Sequence, residues 1–255
     1  MDTARHSPVG SAQRVLLFKF WVGCLVLVPA FALSVMSFAE LMHSGFRGGL
    51  TEDHAFRACY VGAFFWLLFV GIARKHLMIF YVFGHEWSHM LAALACRARI
   101  YDWSVGSDGG WVDTDRSNTF ISLAPYFFPF YTVIACLLMG TAGLFVDLSA
   151  PIEVLGTQLS PMLLCLSAIG FTWCFHLTYT VQTLLAEQSD LLRNGEFFSM
   201  ILIALLNVEV LRLLLVVFTP ELTWAEALQS VVWAWDFSVG NILRVLAYIF
   251  MPPLR

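Results

Sequence analysis

Two histidines and a glutamate lie close together in an otherwise apolar stretch, FGHEWSHMLAALACRAR, which runs from Phe83 to Arg99. His85 and His89 are four positions apart, so on a helix both imidazoles project from one face, with Cβ atoms about 5–6 Å apart. That separation lets one nitrogen of each ring bind a single Zn²⁺ at about 2.0–2.1 Å. Glu86 is turned around the helix from His85, where its carboxylate reaches a water molecule instead of the metal, as a general base must. The spacing therefore predicts a zinc site that hydrolyses its substrate.

The alternative is that His85 and His89 are packing or interfacial residues, because short motifs also occur by chance. The setting argues against it. Ionisable groups are costly inside an apolar helix unless a partner holds them, and in membranes they usually mark functional sites. We therefore predict that this cluster binds zinc.

The composition indicates a multi-pass membrane protein. Hydrophobic residues make up 59% of the 255 positions and charged residues 13%, about half the usual charged share. The apolar residues form runs of membrane-spanning length instead of amphipathic stripes. With a net charge of −4 and no charged tail, the chain is not expected to bind nucleic acid. The six cysteines lie singly, which favours buried thiols over a disulfide framework.

About six membrane segments and one hairpin are predicted along the chain. The segments cover approximately residues 16–39, 51–76, 77–95, 119–144, 161–185 and 197–218. The first is expected to remain as a helix, because it is too long for the apolar part of a signal peptide. The predicted hairpin covers residues 97–116, around a Gly-rich turn from Gly106 to Gly110. The fold class is thus an all-α polytopic membrane protein with a small β-hairpin after the HExxH helix.

Three regions follow from this pattern: N-terminal membrane helices over 1–76, a core that carries the zinc motif over 77–218, and a C-terminal region over 219–255. The last fits either a pair of interfacial helices or one imperfect span, and Thr223 and Glu226 have the spacing of a capping box.

Glu209 and Arg212 have the spacing of a helical ion pair. Pro125 and Pro129 are expected to bend or break the first turns of the fourth segment.

GHEWSHMLAALA, followed by the end of an apolar helix and a Gly-rich hairpin, resembles the site-2 protease family of intramembrane zinc metalloproteases. The resemblance covers about Leu77 to Asn207, half of the chain. It implies that HExxH lies in a membrane helix, that the hairpin enters the membrane, and that a distant Asp is the third zinc ligand. ISLAPYFFP occupies the position where many members have a small-residue and Pro segment.

The chain also departs from the family pattern. Trp87 and Ser88 fill the middle of the motif, where a bulky apolar residue and Gly are common, and Leu191 replaces the Gly that often follows the ligand Asp. The resemblance therefore points to a divergent branch, with no room in 255 residues for the PDZ domain that some members insert.

A catalytic zinc needs a third protein ligand beside its open position. The resemblance implies Asp190, in EQSDLL, which matches the family's Asp near the end of a later membrane helix; otherwise it is a solvated loop carboxylate. The alternative ligand is His176, within the fifth segment. Fourteen positions separate the two residues, about 21 Å along a straight helix, so both can bind one metal only if the helix unwinds.

The resemblance implies an intramembrane zinc metalloprotease that hydrolyses peptide bonds in or near transmembrane segments of membrane proteins. Glu86 would be the general base, and His85, His89 and Asp190 would hold one Zn²⁺ per chain. Such an enzyme is a multi-pass protein of the cell membrane, which in a prokaryote is the inner membrane. Its partners are the lipid bilayer and a membrane-protein substrate, whose unwound segment could pair with the hairpin by β-addition.

Other functions stay open at this stage. A catalytically inactive relative would act as a membrane chaperone or scaffold. A transporter or metal-handling channel would spread polar residues over several helices, whereas this chain concentrates them at one place. A membrane hydrolase with a non-peptide substrate would use the same residues. The orientation of the hairpin is also open. The basic leader favours a cytoplasmic N-terminus, and counting spans from there puts the hairpin outside the cell. If the acidic loop at Asp147 and Glu153 is external, the hairpin lies inside.

Overall fold

The computed structural model describes residues 8–73, 76–106, 109–154, 156–186 and 188–250. These residues form mainly α-helices, with two short antiparallel hairpins. In chain order the elements are α1 (Pro8–Val22), a π-helical turn (Gly23–Leu27), α2 (Val28–Gly48), a 3₁₀ turn (Leu50–Glu52), α3 (His54–Ala73), α4 (Met78–Ala95), β1 (Ile100–Gly106), β2 (Gly109–Thr114), α5 (Thr119–Phe127), α6 (Phe130–Gly143), β3 (Ile152–Val154), β4 (Thr157–Leu159), α7 (Pro161–Leu184), α8 (Ser189–Asn194), α9 (Glu196–Phe218) and α10 (Trp224–Phe250).

Parts of the predicted elements lie outside the described residues. They are residues 1–7 and 251–255, residues 74–75 at the end of the second predicted segment, and residues 107–108 in the predicted hairpin turn.

Four helical stretches among the described residues are long and apolar enough to cross a membrane: Ala12–Gly48, His54–Ile72, Pro161–Leu184 and Glu196–Phe218. α5 and α6 meet at a bend of 69° and make a fifth candidate if they count as one broken span. The prediction of about six segments is therefore matched by four or five. α4 is not among the candidates, because its ionisable triplet His85, Glu86 and His89 lowers its hydropathy.

The two prolines of the fourth predicted segment have different effects. Phe128 is extended, with φ −93° and ψ 104°, and Pro129 caps the start of α6. The residue before a proline avoids the α conformation, so the predicted break at Pro129 is confirmed. Pro125 lies inside α5. Because proline has no N–H, the carbonyl of Ile121, four residues earlier, lacks its usual helical partner.

The described chain divides into two compact units, and the division falls within α9. One unit comprises His54–Ile203. In this unit α3 and α7 approach backbone to backbone: a Cβ built on Gly62 would lie 1.8 Å from the carbonyl oxygen of Ser167, and one on Gly170 would lie 1.9 Å from that of Cys59. Only glycine fits at either position. Aromatic side chains fill the space beside this contact: Trp66, Tyr81, Phe175 and Tyr179.

The other unit comprises residues 1–53 and 204–255. α2 packs on α10, where the hydroxyls of Ser37 and Ser230 are 2.9 Å apart. Within the described part of the C-terminal region, Trp224–Phe250 form a single long helix, not a helix pair. The predicted boundaries at residues 76 and 218 stay predictions.

Two local sequence predictions are confirmed in this second unit. The backbone N–H of Thr223 donates to Oε2 of Glu226 at 2.8 Å, and the N–H of Glu226 donates to Oγ1 of Thr223 at 3.2 Å, which is a capping box. Nη1 of Arg212 lies 3.1 Å from Oε2 of Glu209, which is the predicted ion pair.

The hairpin after α4 is present as predicted: β1 and β2 are antiparallel, with Ser104 opposite Trp111 and Val105 opposite Gly110. A second small hairpin, β3–β4, occupies part of the acidic stretch from Asp147 to Ser160, which the sequence predicts to be a loop without strands. That expectation was wrong, because Gly156 adopts φ +77°, a conformation that lets the chain reverse between two three-residue strands.

Candidate metal centre

α4 places the motif residues on the wall of a cavity of about 510 Å³. His85 and His89 project from the same face of the helix, with ring centroids 4.9 Å apart, and Glu86 lines the same cavity while only 5% exposed. The i, i+4 spacing therefore places the two imidazoles side by side on one face of α4, as the sequence predicts.

Asp190 reaches this cavity from a different element. α7 ends at Leu184, and Asp190 lies in the first turn of the separate helix α8. Its Oδ2 is 3.4 Å from Nε2 of His89 and 4.0 Å from Nε2 of His85. In a tetrahedral site with bonds of about 2.0–2.1 Å, ligand atoms are about 3.3 Å apart. The distance from Asp190 to His89 is thus close to this value and the distance to His85 is longer, while all three donor atoms lie within 4.8 Å of one another.

The alternative third ligand, His176, is not part of this cluster. Among the described residues, His85, His89 and Asp190 form the one group of three or more potential ligands whose donor atoms all lie within 4.8 Å of one another. His176 is buried in α7, with its ring 5.7 Å from that of Trp173, and it lines a different, smaller cavity. Because the chain breaks between α7 and α8, Asp190 is not held at the position that a straight continuation of α7 would give it.

The ring of His89 is fixed by a backbone carbonyl. Its Nδ1 donates to the oxygen of Ile121 at 2.8 Å, which leaves Nε2 facing Asp190. Histidines that bind metal commonly donate their second ring N–H to a carbonyl or carboxylate in this way. The carbonyl of Ile121 is available because Pro125 cannot supply the helical N–H. Asn118 caps the start of α5, where its side chain accepts the N–H of Ile121 at 2.9 Å.

The donor set and its surroundings fit a zinc ion. Two imidazole nitrogens and one carboxylate oxygen are the ligands found in catalytic zinc sites, where three protein groups leave a position open. Nδ1 of His85 is buried and has no hydrogen-bond partner among the described residues. Nε2 of the same ring faces the carboxylate of Asp190, 4.0 Å from Oδ2, and is therefore the nitrogen positioned to bind the metal.

Asp190 is held by contacts between α8 and α5. The hydroxyl of Tyr126 lies 3.4 Å from Oδ2 of Asp190, and the amide of Asn194 donates to the Asp190 carbonyl at 2.9 Å. Thr119 in turn donates to Oδ1 of Asn194 at 2.9 Å. Burial raises the pKa of the Asp190 carboxyl, but the hydrogen bond and charge of His89 outweigh it and keep the pKa below its usual value. The carboxyl is therefore ionised near neutral pH, as metal binding requires.

The hairpin covers Glu86 from the other side of the cavity. A Cβ built on Gly110 would lie 2.6 Å from Cγ of Glu86 and 2.7 Å from the carbonyl oxygen of Ser104. Gly110 therefore allows β2 to approach the glutamate closely, and Gly109 to Val112 form part of the cavity wall.

Sequence reasoning missed three contributors to this site: Tyr126, the Ile121 carbonyl and Gly110. Tyr126 gave no signal, because 64 positions separate it from Asp190 and no periodicity links them. The carbonyl could have been found from Pro125, since a proline inside a helix always frees the carbonyl four residues earlier. Gly110 was interpreted only as part of a turn.

No protein-family model, curated protein or solved structure matches this chain.

Proposed function

We propose that this protein is an intramembrane zinc metalloprotease of the site-2 protease type, as the sequence resemblance implies. The observation that carries the proposal is the convergence of His85, His89 and Asp190 beside Glu86 on one cavity of about 510 Å³. Asp190 lies 101 positions after His89 in the sequence, yet its Oδ2 is 3.4 Å from Nε2 of that histidine, which supports a shared role as metal ligands.

The residues divide into ligands and a base. Nε2 of His85, Nε2 of His89 and Oδ2 of Asp190 would hold the ion. A bound zinc ion supplies a Lewis acid that lowers the pKa of water towards neutrality and polarises a carbonyl group. Glu86, which lines the same cavity, would take a proton from the attacking water and return it to the leaving nitrogen. Tyr126 and the Ile121 carbonyl keep Asp190 and His89 in place.

The membrane setting is part of the proposal. Four candidate spans, or five with the bent pair, fit a polytopic protein. α3 exposes a continuous apolar surface that lipid would cover, with Phe64, Phe65, Leu67, Leu68 and Phe69 all exposed. Hydrolysis would then act on a peptide bond of another membrane protein at the depth of the cavity.

An extended polypeptide suits this cavity as substrate. β2 pairs with β1 on one side, and its residues Gly109 to Val112 line the cavity. A substrate strand that adds to the edge of β2 would satisfy its backbone groups by hydrogen bonds, which an unwound segment needs where lipid offers none.

Zinc analysis of the purified, detergent-solubilised protein tests this proposal. We expect about one zinc per chain, the number of ions that three ligands and an open position hold. Glu86→Gln should keep the zinc and lose cleavage of membrane-protein substrates, whereas His85→Ala and Asp190→Ala should lose the zinc. His176→Ala tests whether His176, the alternative third ligand, binds the zinc.

The outcomes separate the candidate functions. A folded parent without zinc contradicts the proposal and favours the scaffold or chaperone alternative. Loss of zinc in His176→Ala but not in Asp190→Ala would move the third ligand to α7. Zinc binding with no proteolysis of any membrane protein tested, but with cleavage of another bond, would favour a non-proteolytic hydrolase.

A further inference from the structure

His85 and His89 differ in how their second ring nitrogen is satisfied. Nδ1 of His89 donates to the Ile121 carbonyl at 2.8 Å, while Nδ1 of His85 is buried and has no hydrogen-bond partner among the described residues. A neutral imidazole that binds metal through Nε2 carries its proton on Nδ1. His85 would then present a buried N–H donor, and buried donors are almost always paired with a protein group or an ordered water.

A small cavity of about 10 Å³ borders His85, apart from the large one that holds the candidate metal centre. This volume is about what a single water molecule needs. Its polar walls include His176 of α7 and Ser88 of α4, both buried. Ser88 donates its hydroxyl proton to the Gly84 carbonyl at 2.7 Å, so a lone pair of its Oγ can still accept a hydrogen bond.

We propose that one water molecule binds in this small cavity, accepts the Nδ1–H of His85, and donates to a ring nitrogen of His176 and to Oγ of Ser88. Three hydrogen bonds are typical of a buried water. His176 is then a positioning residue: it fixes the tautomer and the ring orientation of His85 without contacting the metal. This inference rests on the proposed zinc site.

The affinity of the whole, detergent-solubilised protein for zinc, measured by competition with a coloured chelator, tests the inference. Loss of an outer partner of a ligand histidine weakens metal binding about 10–100-fold, and we expect that loss in His176→Phe. His176→Gln keeps a hydrogen-bonding group, so most of the affinity should return. His43→Phe, which removes an exposed histidine from α2, is the matched control and should bind zinc like the parent.

Each outcome decides between the inference and the proposed function. An unchanged affinity in His176→Phe overturns the inference alone, and equal losses in His176→Phe and His176→Gln overturn it because they indicate packing. A parent that binds no zinc overturns the proposed function as well. If His176→Phe does not fold, Ser88→Ala removes another partner of the water and should weaken zinc binding to a smaller degree. A density map of the zinc-loaded protein without a water between His85 and His176 also contradicts the inference.

Discussion

Gly110 is the residue of the hairpin that lets β2 come close to Glu86, the proposed general base. The space around it leaves no room for a side chain, because Glu86 and the Ser104 carbonyl both lie under 3 Å from where a Cβ would be. A side chain here must displace the Glu86 carboxylate or the strand. General acid–base catalysis depends on such placement within hydrogen-bond reach.

We expect Gly110→Ala to lower the rate of peptide hydrolysis by about tenfold or more, since general base catalysis contributes about 10²–10⁴-fold. Zinc content should stay at the parent level, because the atoms nearest to a Cβ at Gly110 belong to Glu86 and Ser104 and not to a proposed ligand. Gly106→Ala is the matched control in the same hairpin: its nearest contact would be an ordinary 3.4 Å, to the Gly109 carbonyl oxygen. Equal activity of the two variants would contradict the role assigned to Gly110.

At this scale the residues proposed to carry the chemistry were easier to predict from the sequence than the residues that contact them. His85, Glu86 and His89 follow from a helical period, and Asp190 followed only from the resemblance to a family. Tyr126 and Gly110 depend on contacts between elements far apart in the sequence, and no local pattern encodes such contacts.

At the scale of the elements, Pro125 links the shape of α5 to the candidate metal centre. It removes one helical hydrogen bond, and the Ile121 carbonyl that this leaves accepts from His89 instead. A helix defect therefore becomes part of the site.

Pro125→Ala should restore an N–H that competes with His89 for this carbonyl. We expect zinc affinity to fall about tenfold, the lower end of the range for outer-shell changes. The metal-free protein should be no less stable than the parent, because alanine is the better residue inside a helix. Pro161→Ala, at the first position of α7, frees no carbonyl and is the control. A thermal melt and a zinc titration of both variants make the comparison, and unchanged zinc affinity in Pro125→Ala would refute it.

The contact between α3 and α7 predicts a loss of stability. Gly62→Ala places a methyl group against the backbone of Ser167, where it cannot be accommodated without moving a helix. Overpacking of this kind costs about 1–3 kcal/mol or more. Gly71→Ala lies on the same helix with nothing within 4 Å and should leave the melting temperature in detergent unchanged. Similar melting temperatures for both variants would contradict this prediction.

The elements themselves were largely predictable from the sequence. α4, the β1–β2 hairpin, the break at Pro129 and the Thr223–Glu226 capping box follow from period, turn composition and cap chemistry, which are local. The β3–β4 hairpin was missed because three-residue strands give too short an alternation to recognise. The close approach of α3 and α7 at Gly62 and Gly170 was also missed, since isolated glycines in apolar helices do not indicate their partner.

For the whole molecule, the candidate spans lead to a prediction about the membrane. We expect the protein to stay in the membrane fraction after an alkaline carbonate wash and to be released only by detergent, because four or five spans would hold it in the bilayer. A peripheral protein from the same cells is the control for the wash. Release of this chain by carbonate would contradict the membrane setting and, with it, the class of substrate proposed.

The hydrogen bond from His89 to Ile121 has a consequence for genetic studies of this protein. The acceptor belongs to the peptide backbone, so replacing Ile121 by alanine leaves it intact. A saturation screen for loss of function would score Ile121 by the packing of its side chain and would assign the carbonyl's contribution to Pro125. Only a change in the backbone itself, such as an ester in place of the peptide bond after Ile121, would weaken the acceptor directly. A tolerance map of α5 would thus place the signal four residues from the atom responsible.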